Sequence, residues 1–388
     1  MVYSPVVKAF GGVERIDVIY YNLMYKSLIK PILFLFSPDT VHNLIVNLGK
    51  IAQSTGFSRW LLRKMWRRDR VILEQQVNGM SLKNPIGLSA GFDKNIELTP
   101  LMQSVGFGFA TGGSITLAPR KGNPRPWFYR LPKTESLVVH AGLANKGLVT
   151  IKDGIRRNQK RAKTMPLFIS VAVVAKNANE TNQDAIIDAK NTTLYILQRS
   201  LANAIEINIS CPNAGDDQPF TQPQLLDELL GELDKIDRGV PFFVKMPNLL
   251  QLKHFDDLLK VISRHNIQGV TIANLVKNRE SVKLQDELPE DVKGGLSGSP
   301  TRARSTALIR YAYKKYGGKL TIIGVGGVFT ADHAYEKIRA GASLVGMITG
   351  MIFNGPGVVG QINKELAQLL ERDGFKNITE AVGADHKI

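Results

Sequence analysis

The chain has 388 residues, of which 44% are hydrophobic, and it carries a formal net charge of +16. This length exceeds a typical single core but fits a barrel of about 250 residues with an appendage. A single cysteine excludes an intrachain disulfide, which is typical of a reducing compartment. Residues 1–70 hold eleven Lys and Arg against four Asp and Glu. Such an excess suits nucleic acid or an anionic membrane surface, and no segment resembles a nucleic-acid-binding module.

The start of the chain is strongly apolar. Residues 16–36 are interrupted by two lysines and Pro31, so they fail the requirement of about 20 uncharged apolar residues for a spanning helix. They also lack the basic start and the small-residue cleavage site of a secretory signal. We predict two helices with a break at Ser37-Pro38, because Ser37 can cap a helix that has Pro38 at its first position.

Two further patterns favour contact with a membrane. The second predicted helix has one apolar stripe, formed by Val41, Leu44, Ile45, Leu48 and Ile51. A third segment, Phe57–Arg70, mixes aromatic and aliphatic residues with six basic ones. Aromatic anchors beside a basic face are typical of a helix at a lipid interface. The alternative is a helix packed on the rest of the protein with a solvated basic face.

From Lys83 onward, short apolar runs alternate with helical patterns. The predicted strands are Ile86–Ala90, Phe109–Gly113, Leu167–Val174, Ala204–Ile209, Pro241–Met246, Gly269–Ala273, Leu320–Val325 and Ser343–Ile348. The predicted helices are Ile96–Val105, Asn182–Leu201, Gln222–Ile236, Lys253–His265, Thr301–Tyr316 and Ala331–Ala340. This alternation predicts a parallel sheet, and eight strands predict its closure into an α/β (β/α)8 TIM barrel. A doubly wound open sheet is the main alternative.

In such a barrel, chemistry lies at the C-terminal ends of the strands. Glycines there leave backbone N–H groups free to hold a phosphate, and the loops after strands seven and eight are the usual place. Gly326, Gly327, Ile348 and Thr349 fall in those loops. We therefore predict a phosphate cradle from these residues, although a glycine pair also suits an ordinary tight turn.

Three further side chains at strand ends suit redox chemistry on a ring. Lys94 and Lys245 could hold an anionic ring such as a reduced flavin or a carboxylate, or be solvated loop charges. Cys211 lies between Asn208 and Asn213 after the fourth strand. Because cations lower the pKa of a thiol from about 8.5, we predict that Cys211 takes a proton from carbon. A lone cysteine is also common as a small buried hydrophobe.

Two motifs that are absent from the sequence reduce the number of possible cofactors. The six histidines do not fall at metal-ligand spacing, and no GxGxxG follows a predicted strand. These absences favour a flavin over a metal or a nicotinamide dinucleotide.

Several segments resemble dihydroorotate dehydrogenases, above all the membrane-associated, quinone-reducing class. They are NPIGLSAGFDK (84–94), GNPRPWFYRLP (122–132), INISCPN (207–213), GGLSG (294–298), IIGVGG (322–327) and KIRAGASLV (337–345), and the similarity covers roughly Ser37 to His386. The resemblance implies FMN-dependent oxidation of (S)-dihydroorotate to orotate, with a quinone as acceptor, in pyrimidine (UMP) biosynthesis. It also implies a helical membrane- and quinone-binding segment over residues 1–72 and an FMN-binding catalytic barrel over residues 73–388.

The resemblance implies roles for individual residues. The positions that match flavin-binding residues are Ala90, Gly91, Lys94, Ser114, Asn208, Lys245, Ser297, Gly298, Gly326, Gly327, Ile348 and Thr349. Lys94, Asn208, Asn213 and Asn274 match substrate-binding positions, Cys211 matches the catalytic base, and His42 and Arg130 match polar positions near the quinone. No metal is implied.

The chain departs from the family pattern at four positions. The membrane class usually carries serine where this chain has Cys211, the residue typical of the soluble class. Val139 and Val173 replace asparagines near the substrate, and Leu275 replaces a Ser or Thr. Each lost polar group costs about 1–3 kcal/mol where its partner is left unpaired. Two alternatives therefore stay open: a related FMN oxidoreductase for a more apolar ring, and a non-catalytic flavin-binding barrel.

The expected partners are dihydroorotate and orotate, a membrane quinone, and an anionic membrane surface reached through residues 1–70, with no nucleic acid. We expect peripheral membrane association. Glu14, Asp17 and the lack of an Arg- and Ser-rich leader favour the cytoplasmic face of a bacterial inner membrane over the mitochondrial inner membrane.

Overall fold

Eight parallel strands close into a barrel in this computed structural model, which describes residues 24–175, 181–210, 218–249 and 251–387. In chain order they are β1 (Ile86–Leu88), β2 (Phe109–Ile115), β3 (Leu167–Ala172), β4 (Ala204–Asn208), β5 (Phe242–Lys245), β6 (Gly269–Ile272), β7 (Thr321–Val325) and β8 (Leu344–Met347). Each strand pairs with the next, and β8 pairs with β1. The predicted (β/α)8 barrel is confirmed, and the open doubly wound sheet is wrong.

Helices follow the strands and cover the barrel. They are Thr99–Val105, Leu148–Arg161, Asn182–Gln198, Pro223–Asp234, Leu252–Ile262, Arg302–Tyr316, Ala331–Arg339, Thr349–Asn354, Val358–Arg372 and Ile378–Ala381. All six predicted helices are present, with ends within three residues of the prediction. The sequence did not predict Leu148–Arg161, because this helix buries only Leu148, Ile155 and Asn158 among many basic residues.

The end of the barrel opposite the carboxyl ends of the strands is sealed by aromatic rings. Phe109, Phe168 and Phe243 pack there, with neighbouring ring centroids 5.3 and 5.4 Å apart. A hairpin of Gln75–Val77 and Met80–Leu82 packs against them from outside. Among the described residues, the open space of the barrel therefore lies at the other end, where the strands finish.

A small antiparallel sheet lies over that open end. It consists of Phe128–Leu131, Ser136–Val139 and Gly295–Leu296. The first two strands belong to the connection from β2 to β3, and the third to the connection from β6 to β7. The sequence analysis did not predict this sheet, because such short strands depend on partners far away along the chain.

The described part of the N-terminal arm consists of a short π-helix (Tyr25–Ile29) followed by three α-helices: α1 (Lys30–Phe34), α2 (Pro38–Ala52) and α3 (Gly56–Trp66). The predicted break is confirmed, since Ser37 Oγ accepts a hydrogen bond from the Thr40 N–H at 3.2 Å and Pro38 opens α2. The third predicted helix, Phe57–Arg70, is wrong at its C-terminal end. Helix α3 ends at Trp66, because Arg67 and Arg70 adopt extended backbone angles. Residues 1–23 lie outside the described residues.

The apolar stripe of α2 is divided between two environments. Val41 and Ile45 are partly buried, whereas Leu44, Leu48 and Ile51 are 48, 50 and 69% exposed. Within the described ranges, no helix is long and apolar enough to cross a membrane.

Candidate active site

A cavity of about 510 Å³ lies where the strands end and reaches to the arm helices α1 and α2. It is lined by every described residue that the sequence predicted for a flavin, substrate or quinone site: Ala90, Gly91, Lys94, Ser114, Asn208, Lys245, Asn274, Ser297, Gly298, Gly326, Gly327, Ile348, Thr349, His42 and Arg130. Cys211 and Asn213 lie outside the described residues, so their roles stay predictions.

A chain of hydrogen bonds fixes the polar side chains at the ends of β2, β4 and β6. Asn208 Nδ2 donates to Ser114 Oγ at 2.8 Å, and Ser114 Oγ lies 2.8 Å from Ser170 Oγ. Asn274 Nδ2 donates to the Ser210 carbonyl oxygen at 2.7 Å. Because these amides are already held in place, they can orient a bound ring without further loss of side-chain freedom.

Lys245 provides a buried positive charge in the cavity wall. It is next to Asn208 in the strand register, and its side chain is 8% exposed. Glu206 Oε1 lies 4.0 Å from Lys245 Nζ, which is beyond hydrogen-bonding distance. Glu206 Oε2 accepts from Thr271 Oγ1 at 2.8 Å, and Oε1 has no hydrogen-bond partner within the described ranges. The ammonium group therefore keeps donors available for an anionic ring.

Lys94 is a second cation, held against aromatic rings. Its Nζ donates to the Gly91 carbonyl oxygen at 2.9 Å and lies 4.6 Å from the centroid of the Phe128 ring. Burial lowers the pKa of Lys94 to about 8, while the carboxylates of Asp39 and Asp93 oppose that shift. Lys94 is thus still mainly charged at neutral pH, and an anion beside it would strengthen that charge.

Three glycines border the cavity: Gly298, Gly326 and Gly327. We call them the glycine ledge. Gly326 has φ of +114°, and a Cβ there would lie 2.6 Å from Thr301 Oγ1. Gly327 has φ of +67°, and its Cβ would lie 2.4 Å from Arg302 Cβ. Only glycine fits these positions, so the backbone itself borders the cavity.

Two hydroxyl groups border the ledge. Ser297 Oγ and Thr349 Oγ1 lie 2.9 Å apart, beside the backbone of Gly298. Hydroxyl groups next to exposed backbone provide the donors that a phosphate requires. The ledge and its hydroxyl pair therefore fit a phosphate group.

The cavity wall near the arm is apolar and contains a neutral histidine. The His42 ring centroid lies 5.4 Å from that of Phe92 and 5.5 Å from that of Phe128. Burial lowers the pKa of His42 to about 3, with Lys94 and Arg125 adding to the effect. His42 is therefore uncharged at physiological pH.

Arg130 joins the small antiparallel sheet to the arm. Its Nη1 donates to the carbonyl oxygens of Phe36 at 2.6 Å and Phe34 at 3.3 Å. The guanidinium group lies 4.4 Å from the Phe34 ring centroid, and burial holds the pKa of Arg130 below its ordinary value. Arg130 and His42 are thus polar groups in mostly apolar surroundings.

Two further residues at the site were missed by the sequence analysis. Asp39 is buried and accepts from Arg125 Nη1 at 3.0 Å and from the backbone of Trp127 at 3.0 Å. The sequence could have pointed to Asp39, because an acidic residue in the first turn of a helix is stabilised there by the helix dipole. Ser89 follows β1 and lines the cavity, and its Oγ has no hydrogen-bond partner in the part of the chain that the structure describes.

The three apolar replacements differ in their relation to the cavity. Val139 and Leu275 both line the cavity. Val173 directly follows β3, is buried, and donates its backbone N–H to the Asn208 carbonyl oxygen at 3.3 Å. Val139 and Leu275 offer no polar side chain to a ligand, so the part of the wall that they form is apolar.

The closed barrel, with a cavity lined by buried cations, amides and glycines where its strands end, defines an enzyme of the α/β-barrel class. A sequence model of the dihydroorotate dehydrogenase family matches residues 72–370. The dihydroorotate dehydrogenase (quinone) of Deinococcus deserti is 34% identical over 372 residues, which cover 93% of this chain and all of that protein. The chain therefore belongs to the dihydroorotate dehydrogenase family, whose members are flavin-dependent oxidoreductases.

Other relatives extend the similarity to mitochondrial and solved proteins. The mitochondrial dihydroorotate dehydrogenase (quinone) of Arabidopsis thaliana is 34% identical, covering 87% of this chain and 78% of that protein. A crystal structure of dihydroorotate dehydrogenase from Eimeria tenella, in complex with ferulenol, matches with a TM-score of 0.75 at 27% identity. It covers 90% of this chain and 96% of that one. The relatives of the quinone-dependent class thus match more of the chain than the barrel alone.

Proposed function

We propose that this protein oxidises (S)-dihydroorotate to orotate, with FMN as its cofactor and a membrane quinone as the electron acceptor. The observation that carries the proposal is that all described residues predicted for the flavin, the ring and the quinone line one cavity. Relatives named dihydroorotate dehydrogenase (quinone) align over 87–94% of the chain and support it.

The donor set of the cavity fits FMN. The glycine ledge and the hydroxyl groups of Ser297 and Thr349 would hold the phosphate. Lys245 would hold the anionic part of the ring, because its ammonium group has no carboxylate within hydrogen-bonding distance. When bound, FMN supplies the hydride acceptor for the reaction.

The chain's own residues would orient the substrate and take its proton. Oxidation forms a ring double bond, so one ring carbon loses a proton and its neighbour loses a hydride. Cys211, as a thiolate, is the proposed base for the proton. Asn208 and Asn274, fixed by Ser114 and Ser210, would hold the ring with their amide groups. Removal of water by the overlying sheet would strengthen these polar contacts.

The quinone would enter along the apolar wall between the arm and the barrel. Phe34, Val41 and Ile45 line this part of the cavity, and His42 and Arg130 would provide polar contacts to quinone oxygens. A neutral His42 suits this role, since it donates a hydrogen bond without placing a charge beside an apolar ligand.

We also propose that the arm lies on the surface of a membrane, at the cytoplasmic face of a bacterial inner membrane. Its exposed apolar side chains are Leu28, Ile32, Leu35, Phe36, Leu44, Leu48, Ile51, Phe57, Trp60, Leu61 and Met65. This number of exposed apolar groups on adjoining helices is unusual for a surface that faces only water. Arg63 and Lys64 are exposed on α3 and suit anionic lipid headgroups.

A second candidate function has its own observation. Val139 and Leu275 present apolar side chains to the cavity, which favours a flavin oxidoreductase for a more apolar ring. A non-catalytic flavin-binding barrel would also tolerate these residues, although the retained Lys94 and Cys211 argue against it.

Steady-state kinetics with the full chain in detergent separates these candidates. We expect quinone reduction that depends on dihydroorotate, is lost in Cys211→Ala and is retained in Cys211→Ser. Bound flavin without this activity would contradict the dihydroorotate proposal and leave the second candidate. Activity that persists in Cys211→Ala would contradict the assignment of the base.

A further inference from the structure

A lysine lies fully buried outside the set of residues used so far. Lys337 belongs to the helix Ala331–Arg339 and is 0% exposed. Its Nζ donates to Ser305 Oγ at 2.6 Å and to Thr306 Oγ1 at 3.1 Å. Both acceptors are neutral hydroxyl groups rather than carboxylates. A buried ammonium group held in this way is costly unless an anion lies nearby.

One of the two hydroxyl groups that hold Lys337, that of Ser305, adjoins the glycine ledge. Ser305 Oγ lies 3.2 Å from the position that a Cβ would take on Gly326, and Thr301 Oγ1 lies 2.6 Å from it. Gly326 and Thr301 both line the cavity. Lys337 is therefore one side chain away from the surface on which a phosphate would rest.

Lys337 exchanges its proton close to neutral pH. Burial lowers the pKa of Lys337 to about 7, with Glu336 on its own helix opposing the shift and Arg302 on the neighbouring helix adding to it. These are the charged groups that act on it most strongly. A phosphate dianion on the ledge would add a negative charge nearby and favour the ammonium form.

We propose that Lys337 is a positioning residue for the cofactor phosphate, acting through Ser305 so that the glycine ledge selects a phosphorylated flavin over an unphosphorylated one. This inference rests on the proposed function, which makes the ledge a phosphate site. It adds a residue that touches neither the flavin nor the substrate and that governs which flavin is retained.

The test compares FMN with riboflavin, which lacks the phosphate. Dissociation constants for both flavins are measured by fluorescence on the flavin-stripped full chain, for the wild type, Lys337→Met and Lys319→Met. Lys319 is an exposed lysine at the other end of the barrel and controls for loss of charge alone. We expect Lys337→Met to weaken FMN by about ten- to a hundredfold and riboflavin by little, with Lys319→Met changing neither.

Equal weakening of both flavins by Lys337→Met, or an unchanged ratio of the two constants, would overturn the inference. If Lys337→Met does not fold, Ser305→Ala and Thr306→Val remove its two acceptors instead. Each should weaken FMN several-fold relative to riboflavin, and an unchanged ratio in both would again overturn it. A wild-type chain that binds neither flavin would instead contradict the proposed cofactor.

The pH dependence gives a second readout that a purely structural role would not produce. Above pH 7 a phosphate monoester is already more than about 90% dianionic, because its second pKa is about 6. A fall in the preference for FMN between pH 7 and 9 would therefore report loss of the Lys337 proton. We expect this fall in the wild type and not in Lys337→Met, and a flat wild-type profile would contradict the proposal.

Discussion

Lys245 and Glu206 form a buried pair of opposite charges beside the cavity, with Nζ and Oε1 4.0 Å apart. We expect Lys245→Met to lower the free energy of unfolding by about 3 kcal/mol, because it leaves the Glu206 carboxylate buried without its cation. The double variant Lys245→Met/Glu206→Gln should recover most of that loss. Urea unfolding measures both, and equal stabilities of the single and double variants would contradict this view of the pair.

His42 should make the fold sensitive to mild acid. Its pKa is about 3 in the folded protein and near 6.5 in an unfolded chain. Its contribution to stability is therefore complete above pH 6.5 and is lost as the pH falls from 6.5 toward 3. Between pH 7.5 and 5, the wild type should lose about 2 kcal/mol more than His42→Phe. Urea unfolding measures both proteins at the two pH values. If the wild type and His42→Phe lose the same free energy of unfolding between pH 7.5 and 5, His42 is not buried as a neutral imidazole.

Residue types and positions predicted the side chains that line the cavity, but not the buried charged groups next to those side chains. Lys94 and Lys245 could be predicted because both stand at strand ends. Lys337 and Glu206 could not, since a lysine within a helix or a glutamate within a strand reads as solvent-facing until packing is known. Their burial depends on neighbours such as Ser305 and Thr271, which lie 32 and 65 positions away in the sequence.

A buried carboxylate is one of several groups that attach the arm to the barrel, together with Arg130 and Gln53. Asp39 in the first turn of α2 accepts hydrogen bonds from Arg125 Nη1 and from the backbone of Trp127 and Phe128 at 3.0–3.3 Å. We expect Asp39→Ala to raise the KM for quinone at least threefold, because the loss of charged hydrogen bonds worth about 2 kcal/mol loosens the arm. Anaerobic reduction of the flavin by dihydroorotate should change by a smaller factor, since Asp39 also helps to keep Lys94 charged.

A matched control removes an acidic residue without touching the arm. Asp153 is 65% exposed in an ion pair with Lys152, so Asp153→Ala should leave both half-reactions unchanged. If Asp39→Ala slows reduction of the flavin as much as it affects the quinone step, then Asp39 does not act mainly through the arm.

Helix α3 should carry much of the attachment to lipid. Phe57 and Trp60 are 72 and 51% exposed and stack with ring centroids 5.9 Å apart. Because a glutamate in place of either ring removes apolar burial and adds repulsion from anionic headgroups, each change should weaken binding to phosphatidylglycerol-containing vesicles about tenfold. Ile187→Glu, on an exposed position of Asn182–Gln198, should have no effect. Unchanged co-sedimentation of Phe57→Glu/Trp60→Glu would contradict the lipid contact.

Regular helices and strands were predictable because their periodic patterns are local. The ends were less so: β1 stops at Leu88 rather than Ala90, and α3 stops at Trp66 rather than Arg70. The overlying sheet was not predictable, since Gly295–Leu296 pairs with Ser136–Val139 across more than 150 residues of chain. This sheet depends on the closed barrel to bring its strands together.

Closure of the barrel explains why scattered motifs meet in one place. Residues at or just after the ends of β1, β4, β5, β7 and β8 are far apart in the sequence, yet all contribute to the same cavity. Strand alternation predicted this meeting, and the family resemblance predicted what the meeting residues do. Neither could predict the consequence of Val139 and Leu275, because the cost of losing a polar group depends on the ring that is bound.

Anaerobic titration of the purified flavoprotein with dihydroorotate decides whether the cavity works as proposed. We expect one equivalent of dihydroorotate to bleach the flavin absorbance, and one equivalent of a soluble quinone to restore it. Retention of the full absorbance with excess dihydroorotate, in a protein that a chemical reductant does bleach, would contradict the proposed reaction.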